Sequence, residues 1–226
     1  MKLTIELTED GSHTIFVPSL NERYHSCHGA LQESLHIYIK QGFLQIIGKK
    51  STIQVLEIGF GTGLNAMLTY YHAEHYQVRT NYTTIEPFPL GRKIYKNLNY
   101  PDLLDKKDAT NIFAKIHNSA WEKDINLSDL FIIHKIKKKI QDTILPPKHF
   151  DLVYFDAFAP QIQPELWEKS IFSKIYSSLK QGGCLVTYSA KGSVKRNLTS
   201  AGFVTESLEG PPGKREITRA LKNNSI

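Results

Sequence analysis

Cysteine is almost absent from this 226-residue chain, which carries only Cys27 and Cys184. Two thiols cannot staple a loop-rich fold, so a disulfide framework is excluded and two free thiols in a reducing cytoplasm are expected. Long apolar runs are missing too. No stretch approaches the roughly 20 residues that a bilayer-crossing helix needs, and Met1–Leu7 alternates polar and apolar residues where a secretory leader would place a charged region before an apolar one, so no leader and no membrane partner are expected. Metal-ligand patterns are equally scarce. His25, Cys27 and His28 stand close together, but their spacing fits no common zinc pattern and nothing nearby completes the set, so no metal is expected.

What is present describes an ordinary globular protein, with 41% hydrophobic and 11% aromatic residues in a length that suits one large α/β domain with a small appendage. The formal charge of +6 favours polyanionic partners without demanding them. Lys135, Lys137, Lys138 and Lys139 form a first basic cluster, read as a solvated face. A second set, Lys191, Lys195, Arg196, Lys214, Arg215 and Arg219, crowds the final quarter.

The most informative stretch runs from Gln54 to Asn65. Val55, Leu56 and Ile58 make a short β-rich apolar run closed abruptly by Gly59, Gly61 and Gly63, as a buried parallel strand does when it enters a tight turn, and a helix then starts near Thr62. Backbone without Cβ atoms lets a flat ligand lie against the turn while the helix start offers free amide donors. A dinucleotide fingerprint would need its third glycine at position 64, which is Leu64. The acid Glu57 just before the turn points to a different ligand. Glu57-Ile-Gly-Phe-Gly-Thr-Gly63 resembles the first motif of Rossmann-like methyltransferases that use S-adenosylmethionine. That resemblance implies a turn lying under the methionine part of the cofactor and a carboxylate supporting the turn and the cofactor's amino end. A cationic sulfonium ligand has no pyrophosphate to seat, so an acidic rim suits it.

Around this centre the chain divides into an N-terminal hairpin and helix extension over residues 1–50 and a Rossmann-like domain over residues 51–226. Lys2–Thr8 and Thr14–Val17 flank turn residues 9–12 and predict a β-hairpin. Ala30–Gln41 predicts a helix with Leu31, Leu35, Tyr38 and Ile39 on one face, stopped by Gly42. Leu64–His75 predicts the first crossover helix and Asn81–Ile85 the second strand. Its tip carries Glu86, 23 residues beyond Gly63, where a carboxylate can accept the ribose hydroxyls of a bound adenosine. Pro87 and Pro89 bracket the start of the next helix. Residues 90–129 are mostly helical and looped in this reading, with Trp121 buried. Phe131–Ile136 predicts the third strand, Asp151–Phe155 the fourth, a helix follows over Glu165–Leu179, and Cys184–Tyr188 is the fifth strand after Gly182-Gly183. Lys195–Ala201 predicts a helix, and Val204–Leu208 with Glu216–Leu221 a closing antiparallel pair. The sum is a seven-stranded, mostly parallel sheet with an antiparallel last strand. The first and fourth strand tips should face each other across the ligand, which places Asp156 beside the methyl donor.

From about Ser19 to Ala220 the chain is similar to the methyltransferase domain of the bifunctional tRNA 5-methylaminomethyl-2-thiouridine biosynthesis proteins and to stand-alone forms of it. The similarity rests on Tyr24-His-Ser26 with Gly29-Ala30 and Glu33-Ser34, on Leu56–Asn65, on Ile85-Glu86 with Pro89-Leu90, on Phe155-Asp-Ala-Phe-Ala-Pro160 with Pro164-Glu-Leu-Trp167, on Ser189–Gly192 and on Gly213-Lys-Arg-Glu216. It implies methyl transfer from S-adenosyl-L-methionine to the exocyclic amine of 5-aminomethyluridine at the tRNA wobble position. In this reading Glu57, Gly59, Phe60, Gly61, Gly63, Asn65, Glu86, Asp156 and Ala157 hold the cofactor, and Asp156 is the catalytic carboxylate that holds the amine and helps its proton leave. The Asp-Ala-Phe-Ala-Pro segment resembles the Asp-Pro-Pro-Tyr signature of other amino methyltransferases. Phe158 is a wall against the uracil or the adenine, and Pro160 is on the substrate side. Tyr24, His25 and Ser26 cover the pocket, and Lys191, Lys195, Arg196, Lys214 and Arg215 contact phosphates of the anticodon stem-loop.

One departure stands out. Where the family places an acid that can meet the adenine amine, after the third strand, this chain has lysines; either Asp142 substitutes or the adenine contact differs. The resemblance also implies that a separate enzyme supplies the aminomethyl precursor. Two rival readings share the fold: an N-methyltransferase acting on a protein or small amine, and a non-catalytic RNA-binding domain.

Overall fold

The structure, a computed structural model, describes residues 3–223. Its N-terminal part is a small antiparallel sheet of β1 (Thr4–Leu7), β2 (His13–Val17) and the short β3 (Glu22–Arg23), one strand more than the expected hairpin, whose residue Lys2 lies outside the described residues. Asp10 makes the β1–β2 turn by accepting bonds from the Ser12 amide at 2.9 Å and the Thr8 hydroxyl at 2.8 Å.

Helix α1 (Ala30–Ser34) continues as a π-helical stretch over Leu35–Lys40, in which the Gln41 amide reaches back five residues to the His36 carbonyl. The wider turn changes which side chains face inward. Ile37, Tyr38 and Ile39 are all buried, while Leu31 and Leu35, expected on the same stripe, are half-buried.

The main sheet is built from β4 (Thr52–Ile58), α2 (Leu64–His75), β5 (Arg79–Ile85), α3 (Arg92–Tyr95), α4 (Tyr100–Leu103), α5 (Ala109–Asn118), β6 (Asp124–Asn126), β7 (Phe131–Ile136), β8 (Phe150–Phe155), α6 (Lys169–Ser178), β9 (Leu179–Thr187), α7 (Gly192–Ser200), β10 (Val204–Glu209) and β11 (Glu216–Leu221). The strand order is β10-β11-β9-β8-β4-β5-β7-β6, so the sheet has eight strands rather than seven. The extra strand, β6, pairs antiparallel at the edge of β7, and three residues with a single half-buried side chain left no readable alternation. β11 inserts antiparallel between β9 and β10, as expected of the closing pair. β4 is parallel to both β5 and β8. Strand order therefore reverses between β4 and β8, and a crevice opens beyond their carboxyl ends.

Four further expectations needed correction. The helix expected over Glu165–Leu179 is a 3-10 turn, Pro164–Trp167, followed by α6, and β9 already begins at Leu179. Gly182-Gly183 lies inside that strand: its pairing with β8 jumps from Phe150↔Leu179 to Leu152↔Cys184, and Gly182, with φ of +74°, forms the bulge. Trp121 is half-buried, not buried. Lys135 is not on a solvated face. It occupies an inward position of β7, an interior strand, and is fully buried, whereas Lys137, Lys138 and Lys139 are exposed.

Hydrophobic clusters cover both faces of the sheet. One joins Tyr82 and Tyr154 to α2, α5 and the N-terminal residues Ile15, Ile37, Tyr38 and Phe43; the other joins Val153 and Phe155 to Phe172 and Leu198. The N-terminal segment is thus part of the main core and is held against the carboxyl ends of β4 and β8. Among the described residues, no helix is long and apolar enough to cross a membrane.

Candidate active site

The glycine turn is pinned between strand tips. The Gly59 amide donates to the Ile85 carbonyl at 3.0 Å, and the Asp156 amide donates to the Ile58 carbonyl at 2.9 Å. Gly59 has φ of +93°, and a Cβ there would lie 2.4 Å from the Asp156 carbonyl oxygen, so both backbone conformation and space require glycine. Beside the turn opens a cleft of about 1140 Å³. Small-ligand clefts run to roughly 300–1,000 Å³, so this one has room for a second reactant.

Asp156 lies in this cleft just beyond β8. Its Oδ1 accepts a 2.6 Å bond from the Tyr38 hydroxyl and its Oδ2 a 2.8 Å bond from the Asn65 amide. Burial pushes its pKa up to about 7; the nearby Glu33 adds to the rise, while the Tyr38 and Asn65 bonds and Lys214 oppose it. Each carboxylate oxygen keeps acceptor capacity beyond its one bond. The group is therefore a fixed acceptor poised to exchange a proton near neutrality.

Other acids line or underlie the cleft. Glu86 spans the turn: Oε2 accepts from the Gly61 amide at 3.2 Å and Oε1 from the Phe88 amide at 2.8 Å, and burial raises its pKa. Asp142, in the turn after β7, is exposed and lines the same cleft with Ile140 and Gln141, so an acid does reach the region where the lysines left the adenine contact open. Glu57 does not reach the cleft. It is fully buried beneath the turn, where Oε2 accepts from the Thr84 hydroxyl at 2.7 Å and Oε1 has no partner among the described residues; burial raises its pKa to about 8, so it is mostly protonated at neutral pH.

The remaining expected residues separate into two groups. Phe60, Gly61, Asn65, Ala157, Phe158, Pro160, Tyr24, His25, Ser26, Lys191, Lys214 and Arg215 all line the cleft. Tyr24 packs edge-on to Phe158 at 5.0 Å and lies over Gly61, where a Cβ would be 3.2 Å from its ring. His25 contributes mainly to the core: it is buried, and burial lowers its pKa to about 4, so it is neutral. Gly63, Lys195 and Arg196 do not line the cleft. Gly63 is a packing position, where a Cβ would come 2.8 Å from His117 Nε2. Lys195 is engaged by Glu216 at 3.2 Å and Ser207 at 2.6 Å. Lys214 lines the wall but faces inward, 3.3 Å from Glu33 and 5.1 Å from the Tyr188 ring, so that of the expected cations Lys191 and Arg215 are the ones exposed on this rim.

Sequence reasoning missed Tyr38, Glu33 and Tyr188. Tyr38 reads as one apolar position of a helix, and no local signal says that its hydroxyl meets a residue 118 positions away. Tyr188 bonds the Ala157 carbonyl at 2.8 Å and lines the cleft from the end of β9. Among the described residues, no three His, Cys, Asp or Glu side chains group as they would around a metal.

The donor set suits a flat cationic ligand: a turn opened by glycines at 59 and 61, acids at Glu86, Asp142 and Asp156, and the aromatic lid of Tyr24. Known proteins point the same way. A family model described as S-adenosyl-L-methionine-dependent methyltransferase matches residues 106–223. The tRNA 5-methylaminomethyl-2-thiouridine biosynthesis bifunctional protein of Leptospira interrogans is 28% identical over 93% of this chain, and that of Cupriavidus metallidurans is 26% identical over 95%. The chain spans only 34% and 33% of those proteins. In fold it is similar to MNMC2 from Aquifex aeolicus, with a TM-score of 0.81 at 24% identity over 100% of this chain and 71% of that one. Spermidine synthase from Thermotoga maritima shares the fold less closely, with a TM-score of 0.59 at 11% identity over 100% and 80%.

Proposed function

This chain belongs to the S-adenosyl-L-methionine-dependent methyltransferase family, and we propose that it methylates the exocyclic amine of 5-aminomethyluridine, with or without a 2-thio group, at the wobble position of tRNA. The cofactor supplies an electrophilic methyl group on a sulfonium. Glu86 and the Gly59–Gly63 turn would hold it, with Asp142 at the adenine end. Every other requirement falls on the chain's own residues. An alkylamine is protonated near pH 7, with a pKa of about 10 in water, so it must lose a proton before it can attack. Asp156 accepts a hydrogen bond from the amine, orients it in line, and takes up the proton released. Tyr38 and Asn65 hold the carboxylate still while it does so. Phe158 and Tyr24 form an aromatic wall for a planar pyrimidine, in keeping with the way RNA readers stack unpaired bases. Lys191 and Arg215 are exposed on the same rim and suit phosphates of the anticodon stem-loop.

The observation that carries this reading is the clamped, half-buried Asp156 in a cleft that is also lined by the glycine turn, the Tyr24–Phe158 aromatic pair and the exposed Lys191 and Arg215. Its relatives' names supply the substrate class. The test is nucleoside mass spectrometry of tRNA carrying 5-aminomethyluridine after incubation with the purified protein and S-adenosyl-L-methionine. A gain of one methyl on that nucleoside is expected. An unchanged nucleoside profile removes the tRNA assignment and leaves an N-methyltransferase of another amine.

A further inference from the structure

Behind the glycine turn, on the side away from the cleft, the segment between β5 and β7 forms a brace. Helix α5 ends there. His117, on its last turn, donates from Nε2 to the Thr62 carbonyl at 3.0 Å, and Thr62 sits inside the turn between Gly61 and Gly63. Because a carbonyl only accepts, this bond sets the tautomer: Nε2 carries the proton. The ring is held on three sides. It stacks on Tyr95 at 4.1 Å with an interplanar angle of 7°, and it meets Phe113 at 4.6 Å and Phe60 at 5.2 Å. Gly63 is cut back to let the imidazole approach.

The backbone that carries His117 is anchored in turn. Lys135 Nζ donates to the Ile116 carbonyl at 2.9 Å and to the His117 carbonyl at 2.8 Å, and it lies over the Trp121 ring at 4.7 Å and the Phe60 ring at 5.5 Å. Among the described residues, no carboxylate pairs with this buried ammonium. Its charge is met by the carbonyl end of a helix and by two aromatic faces, an arrangement that ties α5, Trp121 and Phe60 of the turn to one point. Surface solubility does not require a lysine here, and a core position would be filled more easily by an apolar residue.

We propose that His117, anchored by Lys135, is a positioning residue for the methyl donor: it fixes the Thr62 carbonyl and so keeps the Gly59–Gly63 turn in its ligand-receiving shape before the donor arrives. A turn with three glycines is otherwise the most mobile kind of backbone, and ordering it on binding would weaken affinity. Burial and the nearby Lys135 charge hold the His117 pKa down at about 3, against the opposing pull of the Thr62 bond, so the brace keeps its form across the whole neutral range.

The inference rests on family membership and not on the choice of acceptor, so its test uses donor binding alone. Calorimetric titration of the purified protein with S-adenosyl-L-methionine would compare three variants. His117→Phe keeps a ring against Tyr95 but removes the donor, His117→Gln restores an N–H at the place of Nε2, and Lys135→Met removes the anchor at similar volume. Affinity is expected to fall about ten-fold for His117→Phe and for Lys135→Met, with most of it regained in His117→Gln, and with KM for the donor raised and kcat at saturating donor little changed. Equal losses in His117→Phe and His117→Gln, or unchanged affinity in all three, would overturn the proposal. Should Lys135→Met fail to fold, the two His117 variants decide it.

Discussion

Replacing Asp156 by asparagine should make the protein more stable and nearly inactive, and the two effects have one origin. In the unfolded chain this carboxyl has a pKa near 3.8; in the fold burial raises it to about 7. The folded state therefore holds the proton more tightly. Stability from this group is fully present below the unfolded pKa and is lost as pH rises through about 7. A shift of about three units corresponds to about 4 kcal/mol at 1.36 kcal/mol per unit, an upper bound because the carboxylate keeps part of its solvation. An asparagine at this position has no charge to bury. It can still accept from Tyr38, and Asn65 can turn its amide so that its unpartnered Oδ1 accepts the new N–H. Thermal unfolding of wild type and Asp156→Asn at pH 5 and pH 8 separates the charge from other effects of the substitution. Part of the shift is already expressed at pH 5, so the variant's advantage should be larger at pH 8 by about 1–2.5 kcal/mol, which for a chain of this size is at least about 2–4 °C in Tm. Methyl transfer should fall about 10²–10⁴-fold, the range expected for a lost general base. A difference in Tm that is the same at both pH values would refute the reasoning.

Three other perturbations follow from the same geometry. Tyr38→Phe removes a hydrogen bond to the ionised form of Asp156, worth about 1.5–3 kcal/mol, so the acid limb of the pH–rate profile should move up by about one to two units; a limb that stays in place would separate Tyr38 from the proton exchange. Gly59→Ala places a Cβ against the Asp156 carbonyl at positive φ and should abolish donor binding while costing roughly 1–3 kcal/mol of stability, read by calorimetry and thermal unfolding. Lys191→Ala and Arg215→Ala should each weaken tRNA binding and lower the slope of log affinity against log salt by about 0.7–0.9, with donor affinity unchanged.

Much of the scaffold was legible because its signals are local. The apolar run before Gly59 and its abrupt glycine ending located β4 and its turn, and α2 spans the expected Leu64–His75. Asp156 and Glu86 followed from one topological rule about strand tips. What escaped notice depends on pairing or on distance along the chain. β6 is too short to alternate, the bulge at Gly182 looks like a helix stop, and the π-helical turn breaks the spacing from which the buried face was inferred. Lys135 lies in a lysine-rich run, and only its place on an interior strand shows that it is buried. Glu57 and Gly63 belong to the motif by sequence, yet in space one underlies the turn and the other packs against His117. Lys214 reads as one of several surface cations until the buried Glu33 is found beside it.

The account depends most on the methyl donor resting over the glycine turn with Asp156 facing the amine. A crystal structure with S-adenosylhomocysteine would test this directly. The sulfur is expected over Gly59–Gly61, with a gap of about 5–7 Å to the Asp156 carboxylate, enough for one methyl and one nitrogen in line. A sulfur seated elsewhere in the cleft, or an Asp156 carboxylate turned away from it, would contradict the mechanism.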